Sequence, residues 1–282
     1  ITGDSKKTGY SIAEHVGIAD NIDQVVEGSE LEKMSEKQLT LNVEKLKVYS
    51  RVTPLEKLKI VEYLKNNEHI VAMTGDGVND APALKKSDVG IAMGRAGSQV
   101  TQEAAKIILA EDNFTTIVNA IREGRTVYYN IKKLVKYLIT NNIGKVVTIL
   151  LSTFFGPGAS LSAIQILLSN VVMETAPGVG LSIDPSNDAI MKKKPLINEK
   201  SVLKISDRIN MIIDGIIFGI AITAGYLIGL KITNNDIVMA QTIAFLITLI
   251  SPQIYVFIMR DGKFFGKFTA PNKLLKLFSL AM

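Results

Sequence analysis

The chain has 282 residues and no cysteine, which excludes disulfides and thiolate metal sites within its length. Charged residues reach 21% although mean hydropathy is positive, a pairing unusual for a single soluble fold. The net charge of +5 sits mainly in lysine-rich flanks of apolar segments, so it implies no nucleic-acid partner.

Residues 1–134 are rich in Lys, Glu and Asp, and their pattern alternates between two element types. Leu46–Tyr49 reads as a strand and Pro54–Asn66 as a helix, with Pro54 in its first turn and Ile60, Val61 and Leu64 on one face. His69–Thr74 is an apolar strand, Pro82–Lys86 a helix and Val89–Met93 a second apolar strand. A helix near Ser98–Ala105 and a strand at Lys106–Leu109 follow. Alternation of this kind predicts a parallel sheet with helices on both faces. Neither His15 nor His69 has a partner at metal or triad spacing, and both read as structural.

The run Thr74-Gly-Asp-Gly-Val-Asn-Asp-Ala-Pro-Ala-Leu84 carries the chemistry. It places Asp76 and Asp80 just past the carboxyl end of a strand, the edge where open α/β sheets bind ligands. Gly75 and Gly77 permit a tight turn and close approach to a charged group, and Asn79 and Asp80 are suited to cap the next helix. Hard oxygen ligands of this kind suit Mg2+ shared with a phosphate. The blander alternative is a solvated Asp-Gly turn. Taken alone, Lys57 and Arg51 would be surface charges.

From Val135 onward apolar runs dominate. Four are long enough for a bilayer, which needs about 20 mainly apolar residues: 135–155, 161–180, 209–230 and 237–258, with the start of another at Leu274. The links Gly156–Ser160 and Lys231–Asp236 are short, so the spans pair as hairpins. The link between the second and third spans carries Lys192, Lys193, Lys194, Lys200, Lys204 and Arg208. Positive residues favour the inner side, so this link, the polar half and the Arg260–Lys267 segment are expected in the cytoplasm. Inside the spans, Lys145 lies about 15 Å along a helix from Phe155, near mid-bilayer, with Asn142 one turn earlier. Glu174 follows Asn170 by one turn and precedes Pro177, Gly178 and Gly180, which are expected to unwind the helix and free carbonyls. Lys145 and Glu174 are expected to pair, with Lys145 as a fixed internal counter-cation; the alternative is a Lys145 that snorkels to an interface.

Five segments in order and spacing resemble the P-type ATPases, ion pumps that phosphorylate themselves on an aspartate. These are Ile1-Thr2-Gly3-Asp4, then Arg51-Val52-Thr53-Pro54 with Lys57, the Thr74–Leu84 run, and the span residues Asn142-Ile143-Gly144 and Asn170 through Pro177. The likeness is greatest to the calcium-pump-like branch and covers essentially the whole chain. It implies a partial Rossmann-like phosphorylation domain of the haloacid-dehalogenase type over residues 1–128, followed by an α-helical transmembrane bundle over 129–282. It further implies ATP and Mg2+ as cofactors, the lipid bilayer as surroundings and Ca2+ as the favoured cargo. By resemblance Asp76 is the Mg2+ ligand with Asp80 in support, and Lys57 neutralises the phosphoryl group. Thr2, Gly3 and Asn79 bond its oxygens, and Asp4 and Arg51 lie near the nucleotide and hinge. Asn142, Lys145, Asn170 and Glu174 belong to the ion path.

There are departures. Where calcium pumps carry a carboxylate ligand, this chain has Lys145; Glu174 replaces a usual aspartate and Met173 a threonine, and the fourth span has Ser251-Pro252-Gln253. No Asp-Lys-Thr-Gly-Thr sequence occurs. The chain is therefore expected to be the C-terminal portion of a longer pump, needing the missing N-terminal part and inactive alone. Alternatives are a proton or other monovalent-cation pump, suggested by Lys145, and a non-catalytic membrane scaffold. A soluble haloacid-dehalogenase-type phosphohydrolase is a further alternative, against which the spans argue.

Overall fold

The computed structural model describes residues 1–185, 189–193 and 201–261. Two compact units divide them, residues 1–118 and the described residues from 119 onward.

The first unit opens with α1 (Lys6–His15), whose N-cap Ser5 accepts the Thr8 N–H. β1 (Val25–Glu27), α2 (Gly28–Leu31) and α3 (Glu36–Asn42) come next, α3 starting in a capping box between Ser35 and Gln38. β2 (Val48–Ser50) is buried throughout and runs parallel to β1, with Val26 beside Tyr49. α4 (Pro54–Asn66) has the bounds expected from its sequence. Its start is fixed by Pro54 and by a capping box in which Thr53 and Glu56 bond each other's backbone N–H.

β3 (Ala72–Gly75) leads through a 3-10 turn, Val78–Asp80, into α5 (Ala81–Lys86). β4 (Val89–Met93), α6 (Gln99–Ala104) and β5 (Ile107–Leu109) complete a parallel sheet of order β3-β4-β5. The parallel α/β pattern is thus as expected, but the described ladders form two sheets rather than one. α4 bridges their cores through adjacent residues. Ile60 packs with Val26, Leu31 and Tyr49, while Val61 packs with Val71 and Ala83. Each such aliphatic side chain contributes about 1.5–3 kcal/mol by leaving water.

The second unit is helical. α7 (Thr115–Phe155) runs unbroken for 41 residues and buries a stripe that includes Tyr137, Asn141, Gly144, Lys145, Thr148 and Ser152. α8 (Ala163–Leu168) passes through a π turn at Ser169–Met173 into α9 (Thr175–Ser182). α10 (Ala189–Lys192) is a single turn, and α11 (Ile205–Ile232) and α12 (Ile237–Asp261) form an antiparallel hairpin. Its link is tight because Asn234 and Asn235 both take left-handed backbone angles, φ 54 and 68, and Asn235 N–H bonds Leu230 O at 2.8 Å. Asparagine tolerates that region better than most residues.

Small residues let α11 approach its neighbours closely. A Cβ on Gly219 would lie 2.5 Å from Val147 of α7, and one on Gly225 would lie 2.1 Å from Ile247 of α12. Thr115–Phe155, Ala163–Ser182, Ile205–Ile232 and Ile237–Arg260 are long and apolar enough to cross a membrane. The span expected to start at Leu274 lies outside the described residues.

One expectation is corrected. The second span was expected to unwind at Pro177, Gly178 and Gly180, yet these lie inside α9 and the irregularity precedes them. Pro177 occupies the first turn of α9, where a missing N–H costs no helical bond within that segment. Its effect appears four residues back, at the Met173 carbonyl, which accepts from Gln253 Nε2 at 3.2 Å instead of from a residue-177 N–H.

Candidate functional site

At the carboxyl end of β3, the Asp76 side chain is exposed and that of Asp80 is buried. Asp80 Oδ1 accepts from Lys57 Nζ at 2.6 Å, joining α4 to the turn after β3. Gly75 is required here by close approach: a Cβ on it would stand 2.5 Å from that of Asp80. The capping expectation for Asp80 is corrected. It stands at the N-cap of α5, but its backbone is helical and its side chain bonds Lys57 rather than the helix end. Asn79 is exposed.

Thr2 is drawn to the end of β2, where it pairs with Ser50, 48 residues away in sequence. Its N–H donates to Tyr49 O and its carbonyl accepts from Arg51 N–H, both at 2.9 Å. The Thr2 hydroxyl donates to the Asp4 carboxylate at 3.1 Å, and Gly3 lies exposed between them. Arg51 is exposed and leaves β2 at φ 47, a left-handed conformation that costs a non-glycine residue about 1–3 kcal/mol. The structure thus gathers the Thr2-Gly3-Asp4 segment with Arg51, and Lys57 with Asp80.

Two carboxylates at one strand end, one exposed and one beside an ammonium, fit Mg2+, which is commonly held by one or two carboxylates plus phosphate and water. They do not form a closed cage. Among the described residues no group of three or more His, Cys, Asp or Glu side chains is placed to hold a metal.

In the helical unit, Lys145 of α7 is buried, and its Nζ donates to both Asn170 Oδ1 and Glu174 Oε1 across the π turn. Glu174 is 1% exposed. Lys145 therefore does not snorkel, and it joins the two helices expected to share it. Asn142 is placed differently from the expectation. It lies outside the buried stripe of α7, exposed, with Nδ2 bonded to the Leu138 carbonyl of its own helix at 2.8 Å. The buried amide on that face is Asn141. A three-residue step turns a helix by about 300°, which leaves Asn142 at the stripe's edge.

Sequence reasoning missed Asp214, whose carboxylate accepts from Tyr255 Oη at 2.8 Å within α11 and α12. A lone acid in the Ile209–Leu230 run was the available signal. It also missed an ionic collar. Asp184 meets Lys133 and Arg260, both at 2.9 Å, and Asp207 meets Lys132 at 2.6 Å and Lys136 at 3.1 Å.

Residues 1–88 match the family model for haloacid dehalogenase-like hydrolases, and residues 158–282 match that for the C-terminus of cation transporting ATPases. The chain belongs to the P-type cation-transporting ATPases. It is an integral, multi-pass membrane protein of that family. It is 37% identical over 276 residues to calcium-transporting ATPase 1 of Bacillus cereus, covering 93% of this chain and 31% of that ATPase. It is 37% identical over 261 residues to the calcium-transporting ATPase of Bacillus subtilis, covering 93% of this chain and 29% of the relative. The human calcium-transporting ATPase type 2C member 1 is 39% identical over 224 residues, 77% of this chain and 24% of that protein. The chain thus spans less than a third of the length of these relatives.

Proposed function

We propose that the chain is the C-terminal part of an ATP-driven calcium pump, with the α/β unit in the cytoplasm acting on the phosphorylated aspartate and the helical unit forming part of the ion path. The observation that carries the reading is Glu174, buried at an interruption in a membrane span and held by Lys145, which also bonds Asn170. Transporters build ion sites at such interruptions, because the break leaves carbonyls and side chains free of the helical ladder. The relatives' names favour calcium as the cargo. The soluble phosphohydrolase reading is not favoured by four membrane-length helices.

In the α/β unit Asp76 and Asp80 would hold Mg2+, and Lys57, bonded to Asp80, would offset charge on a phosphoryl group. When bound, Mg2+ supplies charge neutralisation on the phosphoryl oxygens. Thr2, Gly3 and Asn79 offer hydroxyl, N–H and amide donors, and Asp4 and Arg51 flank the same strand end as Thr2. Phosphoryl transfer asks little of a protein beyond such positioning and charge.

In the ion path, Lys145 already places one positive charge against Glu174. The Glu174 and Asn170 oxygens then serve at most one complete cation site, and Lys145 stands in for a second cation.

The test is ATP hydrolysis by the full-length pump titrated with Ca2+, Mn2+ and Na+ and across pH. Calcium-stimulated turnover that Glu174→Gln abolishes or shifts by more than tenfold in Ca2+ is expected. Hydrolysis indifferent to Ca2+, or a Glu174→Gln pump with unaltered ion dependence, sinks the reading.

A further inference from the structure

The loop that joins β4 to α6, residues 94–98, has its backbone bonded by side chains on two sides. Asp112 Oδ1 accepts the N–H groups of Gly94 and Arg95 at 2.6 and 3.1 Å, and its Oδ2 accepts that of Ala96 at 2.8 Å. From the other side, Gln102 Nε2 donates to the carbonyls of Met93, Gly94 and Gly97 at 3.2, 2.8 and 3.2 Å. Successive backbone N–H groups converging on one anion make a concave nest, and here a side chain of the same chain fills it. Asp112 does so from a left-handed backbone, φ 54, a region aspartate enters more readily than most residues.

The far end of this loop reaches the candidate metal ligand. Ser98 N–H donates to the Asp76 carbonyl at 2.9 Å, and the Thr101 hydroxyl, on a side chain fully buried in α6, donates to the same oxygen at 3.4 Å. Ser98 also caps α6 by accepting Thr101 N–H, so loop and helix move together. Asp76 lies beyond the last pair of the β3–β4 ladder, Gly75 with Ala92, so these two bonds are what fix its peptide.

We infer that Asp112 is a positioning residue for Asp76. Its carboxylate sets the shape of the loop at 94–98, and the loop in turn sets the Asp76 backbone and so the aim of its carboxylate, although Asp112 touches neither metal nor phosphate. Gln102 fixes the same loop from the opposite side. The inference rests on Asp76 holding the divalent metal. Groups that orient metal ligands without touching the metal typically change its affinity by about 10–100-fold when removed.

The test uses the full-length pump with inorganic phosphate and Mn2+ in place of Mg2+, bound Mn2+ being read by electron paramagnetic resonance. Asp112→Asn presents an amide N–H to donors and should weaken Mn2+ binding about tenfold, with faster amide exchange in the peptide holding residues 94–98. Asp76→Asn is the reference and should weaken binding at least as much. If Asp76→Asn weakens it and Asp112→Asn leaves it unchanged, the inference is wrong and the metal site stands. If Asp76→Asn itself leaves Mn2+ binding unchanged, the metal site and the inference fall together. A purely structural role for Asp112 would lower the yield of folded pump without moving the Mn2+ midpoint, and that result also overturns the inference. Should Asp112→Asn not fold, Gln102→Leu decides by the same readout, with an unchanged midpoint counting against it.

Discussion

An ammonium and a carboxylate that meet inside an apolar bundle are each tolerated only because of the other. Lys145 and Glu174 have side chains 5% and 2% exposed, so removing either partner leaves the other charge stranded. Lys145→Met is expected to lower stability by about 3–5 kcal/mol, the usual cost of breaking a buried pair from one side. Lys145→Met with Glu174→Gln should recover most of that loss, since neither residue then carries a charge. Unfolding of the pump in detergent for the two single variants and the double variant measures the coupling directly. Additive losses would mean that the two side chains do not interact. Lys57 and Asp80 differ in kind. At 22% and 11% exposure their pair keeps access to water and to an arriving phosphoryl group, and its contribution to folding is correspondingly smaller.

At the scale of elements, the π turn at Ser169–Met173 and the first turn of α9 depend on one missing hydrogen. Pro177 offers the Met173 carbonyl no N–H, and Gln253 of α12 supplies one from another helix. Gln253→Leu should therefore cost about 1 kcal/mol by leaving a part-buried carbonyl without this partner. In a Pro177→Ala background, where the residue-177 N–H becomes available, the same substitution should cost clearly less. Equal costs in both backgrounds, measured by unfolding, would show that the two groups do not compete for Met173. Such a bond is not legible in a sequence, because it joins positions 80 apart through a defect rather than through a pattern. What periodicity and caps encode was legible: the ends of α4 follow from Pro54 and the Thr53–Glu56 box, and β4 follows from its apolar run. Three-residue β1 and the short α3 were missed, although the Ser35–Gln38 capping box was there to be read. Within the site, Lys57–Asp80 joins a lysine singled out by the resemblance to an aspartate singled out by its strand end, and Lys145–Glu174 joins two ionisable residues that stood out inside apolar runs. Asn142 and Asn141 were confused because a helical face is about 100° wide and neighbouring positions fall on either side of its border.

For the whole molecule, the α/β unit is held partly by carboxylates whose ionised form is favoured in the fold. The Val71 N–H and the Lys65 ammonium hold Asp88 below the usual carboxylate range. A hydrogen bond from Lys6 does the same for Glu30. At Asp112 partial desolvation pushes the other way, but the N–H groups of Ala96, Arg95 and Gly94 outweigh it. A depressed folded-state value means stabilisation that is complete above the unfolded-state values, about 3.9 for Asp and 4.3 for Glu, and that is lost as pH falls through the folded ones. Opening of this unit, followed by hydrogen exchange, should therefore become easier below about pH 4. Asp88→Asn should flatten that dependence, and an unchanged slope would show that its bonds to Val71 and Lys65 contribute nothing.

The glycines of α11 bear on where movement can occur. With Gly219 set against Val147 of α7 and Gly225 against Ile247 of α12, backbone lies almost on side chain along both flanks of that helix. Contacts this near leave no lever arm: any roll or slide drives atoms into one another before it uncovers a path. Among the described spans, α7, α11 and α12 should then travel as a single plank. Any gate then falls to the remaining one, where a wider turn beside Glu174 can tighten or loosen its pitch while the Lys145 and Gln253 side chains that tie it to α7 and α12 follow.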